Sequence, residues 1–152
     1  MAYSDAEARQ DLLDTVADAI DDLAAALAAL GAAYEQLDDQ HADQLEEQLF
    51  RPVQVAYGRA KRTHAGFAAR FKLPAREFAA GTAGAPSTGA KGFVSSAVTS
   101  TGSADAILST LQDSMLPVEV GDRELREGLG EVRELIAPLS GKARKVLSTL
   151  GR

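Results

Sequence analysis

Two histidines, His41 and His64, are the side chains in this sequence best suited to chemistry. Imidazole nitrogens bind transition metals, and carboxylates complete the ligand sets of helical-bundle metal sites. Glu35, Asp38 and Glu46 lie near His41 in sequence, and Tyr57 lies two turns before His64. Such sites commonly repeat a Glu-x-x-His spacing on facing helices. Here Asp38-x-x-His41 is the only similar spacing, and nothing matching it precedes His64. Whether the imidazoles meet depends on where the chain turns. A turn at Pro52 would set them opposite each other, whereas a turn near residue 40 separates them by about 34 Å along one helix. A metal- or small-ligand-binding bundle centred on His64, with His41 and Glu35 as partners, is therefore the second reading.

The stretch Gly84-Ala-Pro-Ser-Thr-Gly-Ala-Lys91 resembles the spacing of a phosphate-binding loop. Its lysine comes one residue late, and Gly92 stands where a magnesium-binding hydroxyl would follow. No strand precedes it, so nothing aims its amides at a phosphate, and the plainer reading is a linker. Arg59, Lys61, Arg62, Arg70 and Lys72 invite a nucleic-acid reading. The neighbouring aromatics Tyr57 and Phe67 fall on an apolar seam, away from these bases, and an acidic first helix would repel phosphate. Nucleic acid is a remote alternative. With no cysteine and no nucleophile-elbow sequence, cysteine and serine hydrolase chemistry find no support.

The elements that must position these residues are helical. Alanine dominates the apolar set, hydrophobic residues make up 45% of the chain and aromatics only 5%, a balance that favours an all-α fold. Ser4-Asp-Ala-Glu7 has the form of a capping box. Leu13, Val16, Ile20, Leu23, Leu27, Leu30, Tyr34 and Leu37 then follow at spacings of three and four, with Ala19, Ala26 and Ala33 beside them. The phase changes after Leu37. We place the turn near Asp38 to Ala42, with Asp43-Gln-Leu-Glu46 as a second capping box and Pro52 as a kink; Pro52 itself is the competing turn.

Val53, Tyr57, Ala60, His64, Phe67 and Phe71 form the next seam, ended by Pro74. Residues 79–91 read as a flexible connection rich in glycine, serine and proline. A third helix is expected from about Gly92 to Met115. A fourth, capped by Asp122, is expected to run through Pro138 as one kinked helix to Leu150. The fold expected is an antiparallel four-helix bundle with a long loop between helices two and three, residues 1–152 forming one domain.

Charge is unevenly spread. Residues 1–50 hold thirteen acids and one base, whereas residues 51–80 hold seven bases and one acid, which suggests two neighbouring elements in attraction. No signal-peptide pattern or membrane-spanning run is visible, so a cytoplasmic location with no membrane partner is expected. The function expected is non-enzymatic association, with itself or with another protein, and no cofactor. The contact surface is expected at Ala25, Ala29 and Ala32, with Arg59 and Arg62 contributing.

Overall fold

The computed structural model describes residues 3–150, and every regular element among them is helical. Helix α1 spans Asp5–Glu35 and starts as its sequence requires, with Ser4 Oγ accepting the Glu7 amide at 3.1 Å. Its buried surface is wider than one seam. Leu12, Ala19, Ala26 and Ala33 are buried beside Leu13, Val16, Ile20, Leu23 and Leu30, because α1 is packed on two sides. Tyr34, at the end of the expected seam, has turned out of the core and is 39% exposed.

The chain turns at Gln36–Asp38. Asp38 caps α2 (Asp39–Leu45) by accepting the His41 amide at 2.9 Å, which places the cap at Asp38 instead of Asp43. Helix α2 continues through a π-helical turn (Glu46–Phe50) into α3 (Arg51–Arg70). Within that turn the Arg51 amide reaches five residues back to the Glu46 carbonyl. Proline lacks an amide proton and crowds the carbonyl one turn back, so one extra residue in the preceding turn lets the helix pass Pro52. After α3, Lys72 takes a left-handed conformation (φ 55°), and the Leu73 amide bonds the Ala68 carbonyl at 2.8 Å, closing the helix end.

No regular element occupies residues 73–85. A 3₁₀ turn at Pro86–Thr88 leads into α4 (Gly89–Asp113), which therefore begins at Gly89 and not at Gly92. Short α5 (Leu116–Glu119) precedes α6 (Arg123–Ile136), whose cap is the expected one: Asp122 accepts the Leu125 amide at 2.9 Å. The expected single kinked helix is instead two, α6 and α7 (Leu139–Leu150). Pro138 can offer no amide to the carbonyl one turn back, and the two halves pack on different neighbours, α6 chiefly on α3 and α7 on α4 and the π turn.

Contacts at the ends give the direction of each arm. Arg9 stacks over the Phe71 ring at 4.2 Å, so α3 ends beside the start of α1. Gln36 donates to the Pro86 carbonyl at 3.0 Å, so α4 starts beside the end of α1. The arms flanking the long connection thus run parallel to each other, and that connection must travel the length of α1. Arg9 also donates to the Val120 carbonyl, and Arg70 pairs with Asp122, returning the start of α6 to the first end. Thr149 donates to Gln44 at the other end. The arrangement is compatible with a four-helix bundle. Its core centres on Phe67, Leu12, Ile20, Leu23, Leu45, Leu125 and Leu129, all fully buried.

Candidate functional site

His41 and His64 do not meet. Both lie on the continuous helix from Asp39 to Arg70, about 34 Å apart at its rise per residue. His41 is tied locally, its Nδ1 within 2.9 Å of both carboxylate oxygens of Asp38. The Asp38 carboxyl lies below its usual range because it accepts the His41 amide and side-chain hydrogen bonds. Glu35 ends α1 near the close of the long connection, beside Gln36 and Pro86. No group of three or more potential metal ligands is clustered among the described residues, so the triad of His64, His41 and Glu35 is not assembled.

The bases find partners other than the acidic first helix. Arg59 Nε donates to Glu131 at 2.5 Å, and Arg70 holds Asp122 at 2.5 Å and Glu124 at 2.8 Å, all on or next to α6. Burial pushes the Asp122 carboxyl up, but the Arg70 hydrogen bond and the Leu125 amide outweigh it and hold the group below its usual range. The Arg59 hydrogen bond lowers Glu131 in the same way. Between arms, only Arg76–Asp21 joins the basic and acidic segments among the described residues; Arg51–Glu46 closes within one helix. Charge excess shows that attraction exists, but helix phase decides which acids stand opposite which bases. Arg62 remains exposed.

The alanine strip is closed by the chain itself. Residues 73–88 form a strap along α1: Arg76 binds Asp21 through two contacts of 2.7 and 2.8 Å, Phe78 packs edge-on against His64, and Gln36 holds the Pro86 carbonyl. At Gly81 the strap touches the α1 backbone, and an added Cβ would lie 2.6 Å from the Ala24 carbonyl oxygen and 2.9 Å from the Ala25 Cα. Ala29 is buried, Ala25 lies beneath Gly81, and Ala32 lies beside Gly84 and Pro86. The strap therefore touches the surface expected at Ala25 and Ala32, which stay half-buried, while Ala29 is buried. A Gly81→Val chain should lift the strap. Limited proteolysis should then cut residues 79–88 several-fold faster than in the wild type, while helical circular dichroism is retained.

The valley between α1 and α4 is open at its other end. There a groove of about 460 Å³ is lined by Thr15 and Asp18 of α1, by Ala106, Ile107 and Leu111 of α4, and by Leu116 of α5. Ile107 and Leu116 are half-buried, while Met115 and Val118, either side of the Leu116–Pro117 pair in sequence, are 49% and 58% exposed. Met115 sits in the left-handed region (φ 68°), a conformation that costs a non-glycine residue roughly 1–2 kcal/mol. Helix periodicity sets Asp11, Asp18 and Asp22 along the edge of this valley with Thr15. One oxygen of Asp22 is shut from solvent with no hydrogen-bond donor.

No known protein family, curated protein or solved structure matches the chain. The functional reading rests on the surface itself.

Sequence reasoning missed this groove because no residue in it is chemically distinctive. Ile107 lies beside the third helix's seam, which runs through Leu108, Leu111 and Met115 and whose first half, at Ser100 to Gly102, has only a weak helical signal.

Proposed function

We propose that this chain is a non-enzymatic binding protein whose four long arms form a bundle and whose α1–α4 groove receives an amphipathic helix of a partner protein, basic along one edge. The open groove carries the reading. A helix with its side chains is about 10–12 Å across, and it docks in such valleys through aliphatic anchors spaced i, i+3 or i+4, and i+7. The apolar floor at Ile107, Leu111 and Leu116 suits those anchors. The carboxylates of Asp11, Asp18 and Asp22 along one wall favour lysine or arginine, and such rim charge speeds encounter and sets orientation more than it adds affinity. The same carboxylates disfavour a nucleic-acid occupant.

Two further observations support association over catalysis. The lowered carboxyls of Asp38, Asp122 and Glu131 are each explained by a helix cap or an ion pair that holds the fold together. Met115, between the groove residues Ser114 and Leu116 in sequence, takes its left-handed conformation to end α4 and start α5, and its exposed side chain adds apolar surface on that turn.

A fluorescently labelled helical peptide with leucines on one face and lysines along its edge tests the reading by anisotropy. Saturable binding is expected, and Ile107→Glu or Asp18→Lys should weaken it at least tenfold, about 1.4 kcal/mol. Met115→Gly should weaken it too while leaving stability equal or raised by up to about 1 kcal/mol. Binding that ignores Ile107→Glu would place the contact elsewhere. A dimer lost in Ile107→Glu would make the occupant a second copy, through its basic α7 residues Lys142, Arg144 and Lys145.

A further inference from the structure

On the far side of the strap lies a second cleft, of about 510 Å³, between α3 and residues 76–78. Its walls carry Lys61, Arg62 and Arg76, with Glu77 as the one acid lining it, an unusual concentration of positive charge in a chain of net charge −6. Arg76 is held in place by Asp21 and by stacking over Phe78 at 5.0 Å. Lys61 lies 4.4 Å over the Tyr57 ring, and neither Lys61 nor Arg62 forms an ion pair among the described residues.

His64 lines the same cleft. It is only 3% exposed, and its ring packs at 82° against Phe78, with 5.1 Å between centroids. Unlike His41, His64 has no hydrogen-bonding protein partner for its ring among the described residues. The one buried side-chain atom left without a partner among the described residues is an Asp22 oxygen, so the His64 ring nitrogens, which bond no protein group, keep access to the cleft and are free to meet a ligand there. A neutral imidazole offers one N–H donor, a lysine three and an arginine five. Such a set of donors matches an oxyanion with several acceptor oxygens.

We propose that this cleft binds a small oxyanion of the phosphate class, with His64 donating from the floor and Lys61, Arg62 and Arg76 supplying charge-assisted hydrogen bonds. The site is independent of the α1–α4 groove, and either can stand without the other.

The charges around His64 fix the pH dependence. Burial and then the nearby Arg76 guanidinium hold the imidazole below its ordinary range, and only Asp14 of α1 acts in the opposite direction. Lys61 and Arg62 of α3 also carry positive charge on that side, while Asp21 is already paired with Arg76 and Glu77 is the acid lining the cleft itself. An anion bound beside the ring favours its protonated form. By linkage, phosphate should raise the His64 titration midpoint, and its affinity should grow as pH falls through that midpoint.

Imidazole resonances of ¹⁵N-labelled protein, titrated with sodium phosphate against sodium chloride at equal ionic strength, provide the test. His64 should shift saturably while His41 serves as the internal reference, and its midpoint should rise. Lys61→Gln and Arg62→Gln, both outside the core, should each weaken phosphate binding at least about threefold, the loss of one charge-assisted contact. Tighter binding of phenyl phosphate than of inorganic phosphate would identify an organic phosphate as the ligand, and equal binding would identify the free ion. A His64 response that is unsaturable, equal to that of His41 or reproduced by chloride would overturn the proposal. So would phosphate binding unchanged in both Lys61→Gln and Arg62→Gln.

Discussion

A Phe67→Asp chain should be unfolded at 25 °C, and Phe67→Ala should lose about 3–5 kcal/mol in urea denaturation. Phe67 has no exposed surface and packs 4.7 Å from the Phe71 ring, in the last turn of the arm that touches both α1 and α6. Truncation to alanine removes its transfer energy and leaves a cavity the surrounding helices can only partly collapse. Aspartate adds an unpaired charge in a site with no water, and that penalty joins the cavity cost. Domains of this size have only about 5–15 kcal/mol of stability, so the combined loss exceeds what the fold can bear. Circular dichroism at 222 nm checks the result. Retained helicity with an unchanged urea midpoint would mean that the second seam does not form the core.

The second large effect concerns Gly128, where α6 crosses α3. A Cβ there would lie 2.1 Å from Thr63 Oγ1, 2.8 Å from its Cγ2 and 3.0 Å from its Cβ. Thr63 cannot turn away freely. It is β-branched, it is 4% exposed, and its hydroxyl donates to the Arg59 carbonyl at 2.8 Å. Gly128→Ala should therefore force the helices apart and cost about 1–3 kcal/mol, against the usual helix-stabilising direction of a glycine-to-alanine change. Thr63→Ala in the same chain should recover part of the loss, because the two closest clashing atoms disappear while the Cβ contact stays tight. Denaturation of the two single variants and the double variant gives the coupling energy. An additive result would show that the two residues do not touch.

Much of the fold is written in the spacing of apolar residues, and the exceptions are instructive. The seam from Val53 to Phe71 and the caps at Ser4 and Asp122 are local signals: each depends on residues three or four apart, and the chain satisfies them without help from elsewhere. Pro52 and Pro138 are equal as sequence signals but unequal in outcome. The first is absorbed by a π turn inside a helix whose two halves both rest on α1, and the second separates halves drawn to α3 and to α4. The pairing of Arg59 and Arg70 with α6 was invisible, since net charge carries no information on helix phase or order around the bundle.

The binding surfaces were harder still to read. The alanine strip was found in the sequence, but its occupant was not. A glycine-rich connection shows slack in composition alone, and only the close approach of Gly81 to Ala24 reveals it as a strap. His64 was singled out as a residue type and placed correctly on its seam, yet its setting depends on Phe78 and Arg76, which arrive from the strap. The groove at Ile107 lies where α1, α4 and α5 meet, at the end of α1 away from Pro86.

The most direct test of the central claim is quantitative affinity capture from the native cell at low ionic strength, comparing wild type, Ile107→Glu and a strap-face control, Ala32→Glu. The account predicts a protein retained near equal stoichiometry by wild type and by Ala32→Glu but lost from Ile107→Glu. Equal retention by all three, or loss confined to Ala32→Glu, would contradict it and return the binding surface to the face beneath the strap.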